Sequence, residues 1–207
     1  MKVTVFGASG RTGSLVLEAA RRYGWDATAF VRDASRFDVS LATSVVGGDA
    51  RSTAAVSQAV TGRDAVFCCL GMQDITTPAT DFSESVKTIV EAMKDDGVRR
   101  IVAIAAGGAL DDPTGGYRSK GVPAEYANVA AEHVRNYETL RDSGLDWTLM
   151  CPLTLVNDIP TGHARTLYED LPSGSAETGY QDLAAEMVRL VVDEGSHVKR
   201  VGIVSIR

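Results

Sequence analysis

Three glycines set three apart, Gly7, Gly10 and Gly13, separate an apolar run from an amphipathic one in the stretch VFGASGRTGS over residues 5–14. A strand that breaks into so tight a turn and runs straight into a helix is the opening unit of a layered α/β structure. Such a turn aims backbone N–H groups and the positive end of the helix dipole at one point, where an anion would sit. Each glycine has a separate reason. Gly7 permits the sharp turn, Gly10 leaves room for a pyrophosphate, and Gly13 lets the helix come close to the sheet. The spacing is G-x-x-G-x-x-G, with Ser9 where the more familiar G-x-G-x-x-G pattern has its second glycine. A purely structural glycine turn is the alternative.

The rest of the chain repeats the alternation. KVTVFG, DATAFVR, ATSVVGGD, DAVFCCLG, RRIVAIAA, DWTLMCP and VGIVSI read as strands. Between them lie helical stretches: RTGSLVLEAARRYG, RSTAAVSQAVTG, about 80–96, about 124–142 and TGYQDLAAEMVRLVVDEG. The first helix puts Leu15, Val16, Ala19 and Tyr23 on one face and stops at Gly24. The last opens on a capping-box pattern, Thr178 with Gln181. Strands apolar on both faces, alternating strictly with helices, predict a parallel sheet covered on both sides. The expected fold class is therefore α/β: a single doubly wound Rossmann-type domain over residues 1–207 with a mainly parallel sheet. The segment Gly107–Val122 has no periodicity and follows the fifth strand at the carboxyl edge, where a mobile active-site loop is expected.

A net charge of −6 argues against a partner that is nucleic acid or an anionic membrane. No apolar run approaches the roughly 18 residues of a membrane span, and MKVTVFG reads as entry into a strand rather than a signal peptide. The cysteines, Cys68, Cys69 and Cys151, are odd in number and two are adjacent, which is no disulfide framework and points to the cytoplasm. They read as buried strand thiols, and no His/Cys cluster has metal-ligand spacing.

About 20 residues after the glycines, where a dinucleotide's ribose is met, the chain reads FVRDASRF. Arg32, Ser35 and Arg36 offer forked donors and a hydroxyl suited to a 2′-phosphate, which favours NADPH with NADH as the lesser option. Asp33 competes, since it could take a ribose hydroxyl if turned inward. After the third strand comes GGDA, where Asp49, beside Ala50, either accepts from the adenine amine or caps the next helix. After the fourth, Leu70 and Gly71 let backbone pass close to the cofactor.

The tyrosine with a lysine four residues on, which lowers the phenol's pKa in many short-chain dehydrogenases, is missing. Tyr117 has Lys120 three residues on, Tyr126 has Ala130 and Tyr137 has Arg141. The fifth strand ends in AIAAGG, so Ala105 and Ala106 stand where a catalytic hydroxyl is common.

Taken in order, VFGASGRTG, FVRDASR, GDA, CCLG, VEAMKDDGVRRIVAIAA, HVRNYETLRDSGLDWTLMCP and TGYQDLA resemble the atypical short-chain dehydrogenases of the NAD(P)H-binding, NmrA-like type. The nearest branch is the biliverdin-IXβ reductase and flavin reductase group. The resemblance implies an NADP site at Gly7, Ser9, Gly10, Arg11, Thr12 and Gly13, then Arg32, Ser35, Arg36, Asp49, Ala50, Leu70 and Gly71. Ala105, Ala106, Pro152 and Leu153 complete it on the nicotinamide side. Ala106 replaces that group's serine and Leu153 its histidine, which weakens the case for biliverdin. His133 matches a histidine that opens the long helix there, as a catalytic residue or as one merely packed on a helix face.

A flavin or quinone needs little proton help, and Ala105, Ala106, Gly107, Gly108, Leu153 and Leu155 would make an apolar floor for a planar ring. The leading expectation is an NADPH-dependent reductase of such an acceptor, monomeric by resemblance though a dimer is open. The alternative is an NADP(H)-binding redox sensor without turnover, which NmrA-like proteins include. A third option is another reaction on the same fold, such as isomerisation.

Overall fold

The structure is a computed structural model that describes residues 1–72, 74–75, 77–157, 162–174 and 176–206. Seven strands run parallel: β1 (Lys2–Phe6), β2 (Asp26–Val31), β3 (Ser44–Gly47), β4 (Ala65–Cys68), β5 (Arg100–Ile104), β6 (Asp146–Pro152) and, late in the chain, β10 (Lys199–Ser205). Two strands of a small separate sheet, β7 (Thr154–Val156) and β9 (Glu177–Gly179), flank β8 (Ala164–Tyr168), which joins the large sheet antiparallel to β10. The large sheet has the order β3-β2-β1-β4-β5-β6-β10-β8, so the direction of winding reverses between β1 and β4. That reversal opens the crevice in which doubly wound folds bind ligands.

The helices are α1 (Arg11–Arg22), α2 (Thr53–Val60), α3 (Asp81–Asp95), α4 (Ala127–Arg141) and α5 (Tyr180–Val191). Both faces of the sheet are covered, which is why its strands are apolar throughout. On β4, Val66 and Cys68 pack with Val56, Ile89 and Met93 of α2 and α3, while Ala65 and Phe67 pack with Val16, Leu183 and Met187 of α1 and α5.

Four expectations need correction. The buried face of α1 is Thr12, Gly13, Val16, Leu17 and Ala20, and Tyr23 is 64% exposed at the helix end, stacked near Trp25. Thr178 does not cap α5. It lies in β9 with its hydroxyl donating to the Ile203 carbonyl at 2.8 Å, Gly179 takes the cap position, and Asp182 in the first turn accepts from Ser205 and from the Gly162 amide. The strands β7, β8 and β9 have no counterpart among the expected elements. Finally, the stretch after β5 is not a free loop at its start: Ala109 and Leu110 are fully buried and Arg200 donates to the Ala109 carbonyl at 3.0 Å.

Candidate functional site

The parallel register aligns the carboxyl ends of the strands, since Phe6 pairs with both Phe30 and Cys68, and Val31 with Gly47. The glycine turn, Arg32, Asp49, Leu70 with Gly71, Ala105 with Ala106, and Leu153 therefore emerge along one edge. The residues expected to meet a cofactor thus follow the carboxyl ends of the strands.

Gly7 and Gly13 are glycines for the steric reasons that the spacing predicts. Gly7 has φ +73°, and a Cβ on it would stand 2.6 Å from the Cys69 carbonyl oxygen. The Gly10 amide donates to the Gly7 carbonyl at 2.9 Å and closes the turn. A Cβ on Gly13 would lie 2.2 Å from that same carbonyl oxygen, so any side chain there pushes α1 off the turn. At Gly10 the only atom near a Cβ among the described residues is the Gly7 oxygen at 3.2 Å, and the direction beyond is open. Open space in front of the first amides of a twelve-residue helix is room of the kind that an anion such as a pyrophosphate needs.

After β2, Arg32 is exposed, followed by a short 3-10 turn over Ala34–Arg36. Asp33 caps that turn, its Oδ1 accepting from the Ser35 amide at 3.0 Å and the Ser35 hydroxyl at 2.6 Å. The carboxylate thus faces its own turn and not inward toward a ribose, while the hydroxyl proton of Ser35 is engaged. After β3, Asp49 is held by Arg51, whose Nη2 donates at 2.7 Å and Nε at 3.1 Å; these bonds and that of the Arg51 amide pull the Asp49 carboxyl down to about 2. Ser52, not Asp49, caps α2. Ala50 is buried beside them. The second partner of Arg51 is Asp81, at the first residue of α3, 3.1 Å away. The D-A-R order at 49–51 is the sequence signal for the Asp49–Arg51 pair, and attention to the strand ends alone misses it.

Past the ends of β5 and β6, Ala105 is buried and a Leu153 methyl would sit 2.5 Å from a Cβ on Gly107, so the aliphatic side chain lies directly on the post-β5 backbone. Leu153 is itself 49% exposed, an apolar surface just past the end of β6. Pro152 is buried as the last residue of β6. Thiol chemistry has no support. Burial pushes Cys68 up to about 11 and Cys151 up to about 12, and raises Cys69 as well, so all three are neutral.

Tyr117 is not placed for acid catalysis either. The Tyr117 hydroxyl lies at the far end of α4, donating to Glu138 at 3.3 Å and accepting from Arg141, and burial raises its pKa. His133 stands edge-on to Phe82 with ring centres 5.4 Å apart, and its Nδ1 is buried without a hydrogen-bond partner among the described residues. Next to it, Glu132 is wholly buried and accepts from the Ser83 amide and hydroxyl at 2.8 and 2.9 Å, closing the start of α3 in place of a local cap.

Burial drops the His133 pKa from 6.5 to about 4 against a smaller opposing pull from Glu132. The imidazole is neutral at pH 7, so it offers an N–H or a lone pair and no cationic proton. Because the folded value lies below the unfolded one, the unfolded chain binds the extra proton. Stability is full above about pH 6.5 and is lost as pH falls toward 4, by about 3 kcal/mol from this group. Urea unfolding at pH 7 and pH 4 is expected to show a drop that shrinks by that amount in His133→Phe. An equal drop in both proteins would remove the assignment.

Residues 7–194 match the model of a family described as NAD(P)H-binding. The chain is 30% identical over 178 residues to an uncharacterized chloroplastic protein of Arabidopsis thaliana, covering 78% of this chain and 62% of that one. It thus spans less than two thirds of that relative's length. Among solved structures, a candidate NADH-flavin reductase from Streptococcus pneumoniae superposes with a TM-score of 0.85 at 23% identity, over 100% of both chains. A candidate NAD-dependent epimerase/dehydratase from Bacillus halodurans gives 0.86 at 20% identity, over 100% of this chain and 94% of that one. A short-chain dehydrogenase/reductase from Veillonella parvula, solved in complex with NADP, gives 0.78 at 17% identity, over 98% and 93%. At these identities the structures share the Rossmann fold. Among the described residues no helix is long and apolar enough to cross a membrane.

Proposed function

The chain belongs to the NAD(P)H-binding family, and from that premise we propose that it is an NADPH-dependent reductase passing hydride to a planar conjugated acceptor of the flavin or quinone type. One observation carries the reading: a single sheet edge has a cationic end at Arg32 and an aliphatic end at Ala105, Gly107 and Leu153, with the glycine cradle between. When bound, NADPH supplies the hydride. The glycine turn and the start of α1 hold the pyrophosphate. Arg32 reads the 2′-phosphate, since Asp33 is occupied as a cap. Ala105, Gly107 and Leu153 keep water off the face where the acceptor ring lies. An extended π-system takes up hydride without a positioned acid, and water protonates its heteroatoms afterwards. The protein acts as a monomer in a reducing compartment such as the cytoplasm.

The redox-sensor reading has an observation of its own: His133 is neutral and Tyr117 lies at the far end of α4, so neither is a ready acid. Turnover decides. Purified protein is expected to oxidise NADPH faster than NADH when FMN or a simple quinone is present. Arg32→Glu is expected to weaken NADPH binding about tenfold or more, as the loss of a charge-assisted contact implies, and to leave NADH nearly unchanged. Tight NADPH binding with no oxidation by any acceptor would establish the sensor instead. Equal weakening of both cofactors would take the 2′-phosphate away from Arg32.

A further inference from the structure

Arg11 stands at the first position of α1, where the helix dipole is positive and a cation is disfavoured. Its guanidinium lies 4.4 Å over the ring of Tyr180, the first residue of α5, and its Nη1 donates to Asn157 Oδ1 at 3.4 Å, just past β7. Tyr180 follows β9 directly, and β9 pairs with β7. One side chain from the glycine turn thus touches the residues that directly follow both strands of the small sheet. That sheet continues from Leu153, the aliphatic end of the edge.

We propose that Arg11, Tyr180 and Asn157 form a latch through which a dinucleotide at the glycine turn fixes the β7–β9 wall of the acceptor site. This rests on the dinucleotide reading above. Tyr180 and Asn157 are positioning residues, acting through Arg11. A planar guanidinium suits both contacts, because its face stacks on Tyr180 while its edge carries donors beyond the one bonded to Asn157, and Arg11 is exposed. A charge-assisted contact with phosphate is stronger than an exposed cation–π contact. The phosphate therefore orients the guanidinium, and the guanidinium in turn holds the ring. The same arrangement explains a cation placed against the helix dipole, because a bound pyrophosphate reverses the local charge.

The test is amide hydrogen exchange in the full chain, with and without NADPH, read in peptides covering 154–157 and 177–181, alongside NADPH titration. Wild type is expected to show exchange slowed about fivefold in both segments, the lower range for coupled sites. Arg11→Ala, Tyr180→Leu and Asn157→Ala are expected to lose most of that slowing, and Tyr180→Phe to keep it. Arg11→Ala with Tyr180→Leu is expected to lose no more than either alone. NADPH binding without slowed exchange in wild type, or with slowing kept in Tyr180→Leu and Asn157→Ala, would overturn the latch and leave the dinucleotide reading intact. No NADPH binding by wild type would overturn both. Asn157 is exposed, so its variant tests the latch even if Tyr180→Leu fails to fold.

Discussion

Gly13→Ala is expected to lower the unfolding free energy by about 3 kcal/mol and to abolish NADPH binding, whereas Gly10→Ala keeps the stability and loses the binding. In an open helix the first change would stabilise by roughly 1 kcal/mol, because alanine costs less backbone entropy than glycine. Here the sign is decided by contact. The new methyl would stand 2.2 Å from the Gly7 carbonyl oxygen, 2.8 Å from the Gly7 carbonyl carbon and 2.9 Å from the Ala8 Cα, all backbone, so no rotamer change relieves it. The Gly7 carbonyl also accepts from the Gly10 amide, so moving it opens the turn. Gly10 differs. Its φ of −79° suits alanine, and a Cβ needs only a few tenths of an ångström from the Gly7 oxygen before reaching open space. On the proposed reading the pyrophosphate takes that space, so the expected result is a dissociation constant raised tenfold or more with a melting temperature close to wild type. Thermal unfolding and NADPH fluorescence titration on the two variants separate fold from binding. Unchanged NADPH affinity in Gly10→Ala would mean that no pyrophosphate crosses the turn.

That contrast reflects what could be read from residues alone. The parallel strands were legible because both of their faces are covered, and β4, AVFC, is buried at every position. The small sheet was not: β7 and β9 are three residues each, too short for any period. β8, ARTLY, is an edge strand mostly open to solvent, so its composition does not announce a core. The capping-box pattern at Thr178 and Gln181 was present, yet the hydroxyl was claimed by the Ile203 carbonyl across the β9–β10 contact. The order of the strand ends was legible, and with it the edge along which the proposed cofactor residues lie. Arg11 over Tyr180 joins positions 169 residues apart, and a pairing of that separation leaves no local mark.

The post-β5 segment shows the same limit, and its stability is the second large effect. Arg200 is 5% exposed and donates to both oxygens of Asp111 at 2.8 Å, to Glu169 at 2.7 Å and to the Ala109 carbonyl at 3.0 Å, with its guanidinium 4.4 Å over Tyr137. A guanidinium so enclosed organises everything around it, whereas its carboxylates, 65% and 40% exposed, keep much of their hydration. Arg200→Met keeps the aliphatic bulk, loses all of these bonds, and lets both acids return to water. The cost is expected at the lower end of the range for breaking a buried pair, about 3 kcal/mol. Asp111→Asn removes one rim charge and is expected to cost within about 1 kcal/mol. Urea unfolding measures both. Exchange at the Arg118 amide, which donates to the Leu110 carbonyl at 2.9 Å, reports whether the segment stays pinned. It is expected to speed up markedly in Arg200→Met and little in Asp111→Asn. If the two variants cost the same, Asp111 and not the enclosed guanidinium would be the anchor, and the segment beside the acceptor floor would be held from its surface.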